Sequence, residues 1–484
     1  MAAPDNAVDP AADRAVAAVP AEALATVEAA VARIADEPAD HRFKGLPADT
    51  GPGATLGSLA AERRDLFSGG FTTPVLALSA ERLDHNLAAM ESYSARHGLA
   101  FAPHGKTSMA PQLFARQLEH GAWGITLAVP HQVRVARAFG IPRIFLANEL
   151  VDAAALRWLA GELDRDPAFR FACYVDSVAG VRLMDEALRA AGAVRPVDVV
   201  VELGAGDGAR TGARSEAECA AVADAVADAG TLRLVGVAGY EGEVPGASLE
   251  TVTAWLRRLV ALAVAFDEAG RFAGRFGSPG SAEGSGSAEG SGSAEGSGSA
   301  EGPGSAEGPD EILVSAGGSA WFDAVATVFA EIPALSKPVL KLLRSGAYVS
   351  HDDGHYRELT PFNRVPDEGG LRAAFTLWAQ VVSRPEAGQA FLNAGKRDAA
   401  YDLQMPVAHA VRGLDGSVRS GAGVDVTSMS DQHMWVRTGE GVDLEVGEWV
   451  GLGMSHPCTM FDKWQVLPVV SGDGVVVDFV RTYF

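Results

Sequence analysis

The chain has 484 residues, 48% hydrophobic and 21% charged, a globular composition long enough for two or three domains. Its formal net charge of −22 argues against nucleic acid or an anionic membrane as partner. Three cysteines, Cys173, Cys219 and Cys458, make no disulfide framework, so a cytoplasmic location is expected. No apolar run approaches the ~20 residues that cross a bilayer, and the first residues lack the basic start of a signal peptide.

Residues 1–72 are rich in Ala, Pro and acidic groups and read as an N-terminal extension. Leu24, Val27, Val31 and Ile34 recur at helical spacing and predict a helix over 21–35. The segment is either an arm over a partner subunit or an extension with one docked helix.

From residue 73 apolar, β-branched runs alternate with amphipathic stretches. The runs are 74–78, 99–103, 123–127, 143–147, 170–175, 197–202, 234–239, 312–315 and 339–343. This alternation predicts βαβ units and a parallel sheet, with a closed (β/α)8 barrel as its natural long form. Nine runs are one too many. The run at 74–78 precedes the others and is assigned elsewhere, which makes 99–103 the first barrel strand.

Residues 280–309 repeat Gly-Ser-Ala-Glu-Gly followed by Ser or Pro five times. Such a sequence cannot build a core and predicts a disordered insertion, with bounds 277–309, between the sixth and seventh barrel strands. The barrel domain spans 73–370. Beyond it, runs at 373–382, 407–411, 441–450 and 464–484 lie between Gly, Asp and Pro turns, and predict a C-terminal β domain over 371–484. The surplus run at 74–78 is expected to pair into it.

Chemistry-bearing residues cluster where barrel strands end. Lys106, in Pro103-His-Gly-Lys-Thr107, follows the first barrel strand, on the face where such barrels keep their active sites. After the seventh strand comes Ser315-Ala-Gly-Gly-Ser319, leading into a helix; after the eighth comes Arg344-Ser-Gly-Ala-Tyr348. Glycine-rich turns with a cation suit a phosphate, so Ser315, Gly317, Gly318, Ser319, Arg344, Gly346 and Tyr348 are candidate contacts. A phosphate facing a lysine suggests pyridoxal 5′-phosphate, because a lysine amine forms an imine with its aldehyde. Arg210 and Tyr240, after the fifth and sixth strands, are candidate ring contacts. In the β domain His456 and Cys458 are two apart, on one face of an extended segment, and form a candidate pair for a divalent metal, Zn²⁺ above all. His433 is a further polar group considered for that site.

The order of these motifs resembles the D-threonine aldolase and D-serine dehydratase family, fold type III pyridoxal-phosphate enzymes related to alanine racemase. The resemblance covers residues 70–484 apart from the repeat. It implies a barrel plus β domain, Lys106 bonded to the cofactor, and a metal on His456 and Cys458 that contacts the substrate hydroxyl. It also implies a small D-amino acid as substrate and a homodimer. The His-x-Cys pair is more similar to zinc-dependent D-serine dehydratases, since several D-threonine aldolases carry an acidic residue at the cysteine position. The expected function is therefore a lyase, a D-serine/D-threonine dehydratase (deaminase) yielding a 2-oxo acid and ammonia. The alternative is a D-threonine aldolase yielding glycine and an aldehyde. A third reading, a non-catalytic pyridoxal-phosphate homeostasis protein, is disfavoured because such proteins lack the β domain and its metal pair.

Overall fold

A computed structural model describes residues 18–272 and 311–484. The Gly/Ser/Glu repeat lies outside the described residues. Two sheets organise the chain. One is parallel and eight-stranded, built from β2 (Ala100–Phe101), β3 (Ile125–Leu127), β4 (Arg143–Glu149), β5 (Arg170–Val175), β6 (Val197–Leu203), β7 (Leu232–Gly239), β8 (Ile312–Ala316) and β9 (Val339–Leu343). Their centres are mostly apolar, as strands covered on both faces must be, with charged residues such as Arg143, Arg170 and Arg233 near the strand starts. Their order is β2-β9-β8-β7-β6-β5-β4-β3, and the two ends of this sheet meet. Trp123 N–H donates to the Phe101 carbonyl at 2.7 Å and Thr126 N–H to the Pro103 carbonyl at 3.0 Å, which closes the barrel.

The barrel interior is filled by alternate strand residues, among them Trp123, Phe145, Tyr174, Val200, Leu313 and Leu342. The other face of each strand packs against helices. Ser and Asp side chains start several of these. Asp152 caps Ala153–Arg165 and Ser177 caps Val178–Ala191, while Ser215 and Glu218 form a reciprocal capping box on Glu216–Asp228. The helix Leu249–Glu268 follows β7, so the repeat does enter between the sixth and seventh barrel strands.

The second sheet is mostly antiparallel and includes the surplus run. β1 (Val75–Ser79) pairs antiparallel with β10 (Phe375–Glu386) and parallel with β17 (Val466–Val470). The same sheet also holds β12 (Val407–Arg412), β16 (Trp449–Gly453) and β18 (Val476–Arg481). Four strands were not read from the sequence: β11 (Gln389–Leu392), β13 (Val418–Ser420), β14 (Val424–Met429) and β15 (Met434–Thr438). The expected strand at 441–450 is a correction. Glycines at 441 and 447 hold positive φ, so the chain turns there and extends only from Trp449.

The N-terminal segment is docked. Its helix covers Ala21–Ala32 and continues as a 3-10 turn, Arg33–Asp36, with Val27, Ala30 and Ile34 buried. Residues 37–71 wrap the β domain, where Phe71 stacks on Phe479 and the Lys44 ammonium lies 4.0 Å from the Trp464 ring centroid. None of the described helices is long and apolar enough to cross a membrane.

Candidate active site

Lys106 stands in a 3-10 turn, Gly105–Thr107, directly past the bridge that closes the barrel. Gly105 is required there, because a Cβ would lie 2.8 Å from the Phe114 ring and 2.9 Å from Ile125. The lysine faces a cavity of about 250 Å³ at the C-terminal ends of the barrel strands. The cavity wall also includes Arg210, Tyr240, Gly317, Gly318, Ser319, Arg344 and Gly346. Seven expected contacts from four separate loops thus share one cavity with Lys106. Two expected contacts lie elsewhere. Ser315 is fully buried and donates its hydroxyl to the Leu342 carbonyl at 3.0 Å, so it joins strands instead of facing the cavity. Tyr348 is buried among core residues, its ring centroid 5.2 Å from that of Phe101 in an edge-to-face contact.

The β domain closes one side of the cavity with Cys458. The Cys458 sulfur lies 3.3 Å from the Thr107 hydroxyl, next to Lys106. His456 stands outside the cavity wall and bonds through Nδ1 to the Asp402 carboxylate at 2.5 Å. Thr459 donates its hydroxyl to the other Asp402 oxygen at 2.7 Å. A histidine fixed through Nδ1 offers Nε2 as a ligand, and a carboxylate behind it is the usual support for a metal-bound imidazole. Burial pushes the His456 pKa down, but Cys458 and Asp402 outweigh it and hold the imidazole up to about 9. His433 is exposed on the turn between β14 and β15, where its carbonyl accepts from Ser430 N–H.

Electrostatically the cavity suits an anion and a reactive amine. Arg344 and Arg210, the latter ion-paired with Glu243, place two guanidinium groups on the cavity wall with Lys106. Burial lowers the Lys106 pKa, Cys458 opposes that shift, and the two arginines add to it, which raises the share of neutral amine. His104, at the cavity wall, is driven well below its ordinary value by burial and then by Lys106, so its ring is neutral. Its buried Nδ1, the Tyr174 hydroxyl and the Arg344 Nε have no hydrogen-bond partner. Gly346 cannot carry a side chain, since a Cβ would meet the His104 carbonyl oxygen at 2.6 Å. Cations, unpaired donors and a glycine-lined wall fit a planar, phosphate-bearing aldehyde.

Several cavity residues carried no signal in the sequence. Tyr174 sits on a barrel strand, where its residue type does not distinguish cavity from core. Tyr356 reaches the cavity from a short helix, His355–Leu359. Asp402 is 54 residues from His456 in the chain. Glu202 ends β6 at a position that does carry a signal, the C-terminal end of a barrel strand. With Glu149 and Asp176 it forms an acidic cluster whose nearest oxygens lie within 4.8 Å of one another. Burial, then Glu202 and Asp176, push the Glu149 carboxyl up to about 8. Glu202 is also raised, by burial. This pair therefore retains a proton near neutral pH.

Residues 374–470 match the family described as putative serine dehydratase domain. The D-threonine aldolase of an Arthrobacter species is 28% identical over 407 residues, covering 84% of this chain and 90% of that one. Among solved structures, D-threonine aldolase from Filomicrobium marinum superposes with a TM-score of 0.66 at 23% identity, covering 85% of this chain and 95% of that one. D-threo-3-hydroxyaspartate dehydratase from Delftia sp. HT23 superposes with a TM-score of 0.60 at 20% identity, covering 85% and 97%. The two domains have the alanine racemase-like fold. The chain is similar to D-threonine aldolase over most of its length, and its β domain matches the putative serine dehydratase domain. The hydroxyaspartate dehydratase has also been solved with a histidine replaced by alanine and, two positions on, with a cysteine replaced by alanine, the latter in a metal-free form.

Proposed function

We propose that the protein is a pyridoxal-phosphate- and metal-dependent lyase that dehydrates small β-hydroxy D-amino acids, D-serine or D-threonine, to a 2-oxo acid and ammonia. The observation that carries this reading is the seam at Thr107 and Cys458. It puts the Lys106 amine and the thiol of a His-x-Cys pair on the same cavity.

Lys106 is the residue that would bond the cofactor, with Ser319, Arg344 and Gly346 around its phosphate and Arg210 near its ring. Pyridoxal phosphate, when bound, supplies an aldehyde for the substrate amine and a ring that takes up the electron pair left at Cα. A lowered pKa raises the share of Lys106 whose Nζ is free to accept the α-proton. His456 Nε2 and Cys458 Sγ would hold a divalent ion, whose chemistry there is Lewis-acid polarisation of the β-hydroxyl. Asp402 orients His456, and the β domain excludes water on that side. Net dehydration followed by hydrolysis turns D-serine into pyruvate and ammonia with no outside oxidant.

Support for the dehydratase comes from the matched β-domain family and from the His/Cys spacing shared with the hydroxyaspartate dehydratase. The second reading is D-threonine aldolase, favoured by the homology over most of the chain. Incubation with D-serine tests the proposal. Pyruvate and ammonia in equal amounts, lost with a chelator and regained with Zn²⁺, are expected; no pyruvate from the metal-loaded enzyme contradicts it.

A further inference from the structure

The glycine turn after β8 is gripped from behind by a carboxylate. Glu241 is fully buried and follows Tyr240 at the end of β7. Its Oε2 accepts the Gly317 N–H at 2.9 Å and its Oε1 accepts the Gly318 N–H at 2.5 Å. Both glycines line the cavity, but Glu241 does not. The two N–H groups that a glycine-rich turn would offer to a phosphate are thus turned away from the cavity and paired with a charge of the protein. The turn has no slack. A Cβ on Gly317 would meet Leu343 at 2.3 Å, and one on Gly318 would meet the Tyr240 ring at 2.8 Å. On its far side the turn is tied to the loop after β9. The Ser345 hydroxyl donates to the Gly318 carbonyl at 2.9 Å, and the Ala347 N–H donates to the Ser319 hydroxyl at 3.3 Å.

We propose that Glu241 is a positioning residue for the cofactor phosphate: it fixes the Gly317–Gly318 turn so that Ser319 and the Gly346–Ala347 loop, and not the two glycine N–H groups, receive the phosphate. This rests on the pyridoxal-phosphate reading above. Charge-assisted bonds to a buried carboxylate are strong, and a turn released from them would lose the alignment of Ser319 with Ala347. The effect is expected on the phosphate side, because the Glu241 side chain bonds the cavity wall through these two glycines.

The test compares two aldehydes on the full-length apoenzyme, pyridoxal phosphate and pyridoxal, by titrating the imine absorbance. Glu241→Gln keeps one acceptor oxygen but turns an amide N–H₂ toward the other glycine N–H. It is expected to weaken pyridoxal phosphate roughly tenfold, with pyridoxal unchanged and competition by inorganic phosphate weakened in parallel. Glu241→Asp, with the charge kept and the reach shortened, is expected to shift in the same direction and serves if the glutamine variant does not fold. Unchanged pyridoxal phosphate affinity, an equal loss for both aldehydes, or tighter pyridoxal phosphate overturns the role of Glu241 alone. A parent chain that captures neither aldehyde overturns the cofactor assignment itself, and this role with it.

Discussion

The Thr107 hydroxyl lies 3.3 Å from the Cys458 sulfur, and these two residues belong to different domains, 351 positions apart in the chain. Through this contact the β domain reaches the lysine turn of the barrel. The cavity is a product of both domains, and neither holds it alone. Cys458→Ala is therefore expected to lose the divalent metal and the turnover of D-serine, while the imine absorbance with pyridoxal phosphate remains. Metal analysis beside a visible spectrum checks this. Loss of both signals together would mean that the cysteine holds the domains together and binds no metal.

Asp402 acts one step further out. Its carboxylate accepts hydrogen bonds from His456 Nδ1 and the Thr459 hydroxyl, so it orients the ring with Nε2 pointing away from Asp402. Asp402→Asn is expected to cut metal affinity about 10–100-fold, the usual cost of losing such a support. Titration of the metal-free protein with Zn²⁺ against a competing chelator measures it. Parental affinity would remove Asp402 from the site.

Lys106→Ala is expected to abolish the reducible imine band and to lower turnover by at least about 10²–10⁴-fold, the range for a lost general base. Borohydride trapping followed by peptide mapping reads the first effect, and a product assay the second. A band that persists in the variant would place the cofactor on another amine.

The Glu149–Glu202 pair gives a pH dependence of stability. Glu149 is raised to about 8 in the folded chain, against about 4.5 for an ordinary glutamate. Between these values the folded state holds a proton that the unfolded state has released, so stability falls as pH rises through this window. The contribution is fully present below about 4.5 and is lost through about 8. Glu149→Gln mimics the protonated form and is expected to melt about 1–3 °C above the parent at pH 8 and to show a flatter profile. An unchanged profile would mean that Glu149 is ionised throughout.

Much of this was legible in the sequence because barrel architecture ties chemistry to strand ends. Counting apolar runs put Lys106 after the first barrel strand and assigned the run at 74–78 to the other sheet, where β1 is observed. Where the sequence misled, local pattern and tertiary role diverged. Ser315 and Tyr348 sit in phosphate-like motifs but face the core, because a motif shows residue types and not side-chain direction. Gly317 and Gly318 occupy the expected wall, yet their N–H groups are taken by Glu241. Asp402 and Tyr356 meet the site only through folding, with no spacing to reveal them. In the β domain, β14 and β15 escaped notice because their alternating burial leaves few apolar residues in each short strand.

The most direct measurement is a product analysis on D-threonine with the holoenzyme, because one substrate separates the two lyase reactions. The expected products are 2-oxobutanoate and ammonia in equal amounts, dependent on added metal and absent in Cys458→Ala. Glycine and acetaldehyde as the main products would contradict the dehydratase reading and make the protein an aldolase.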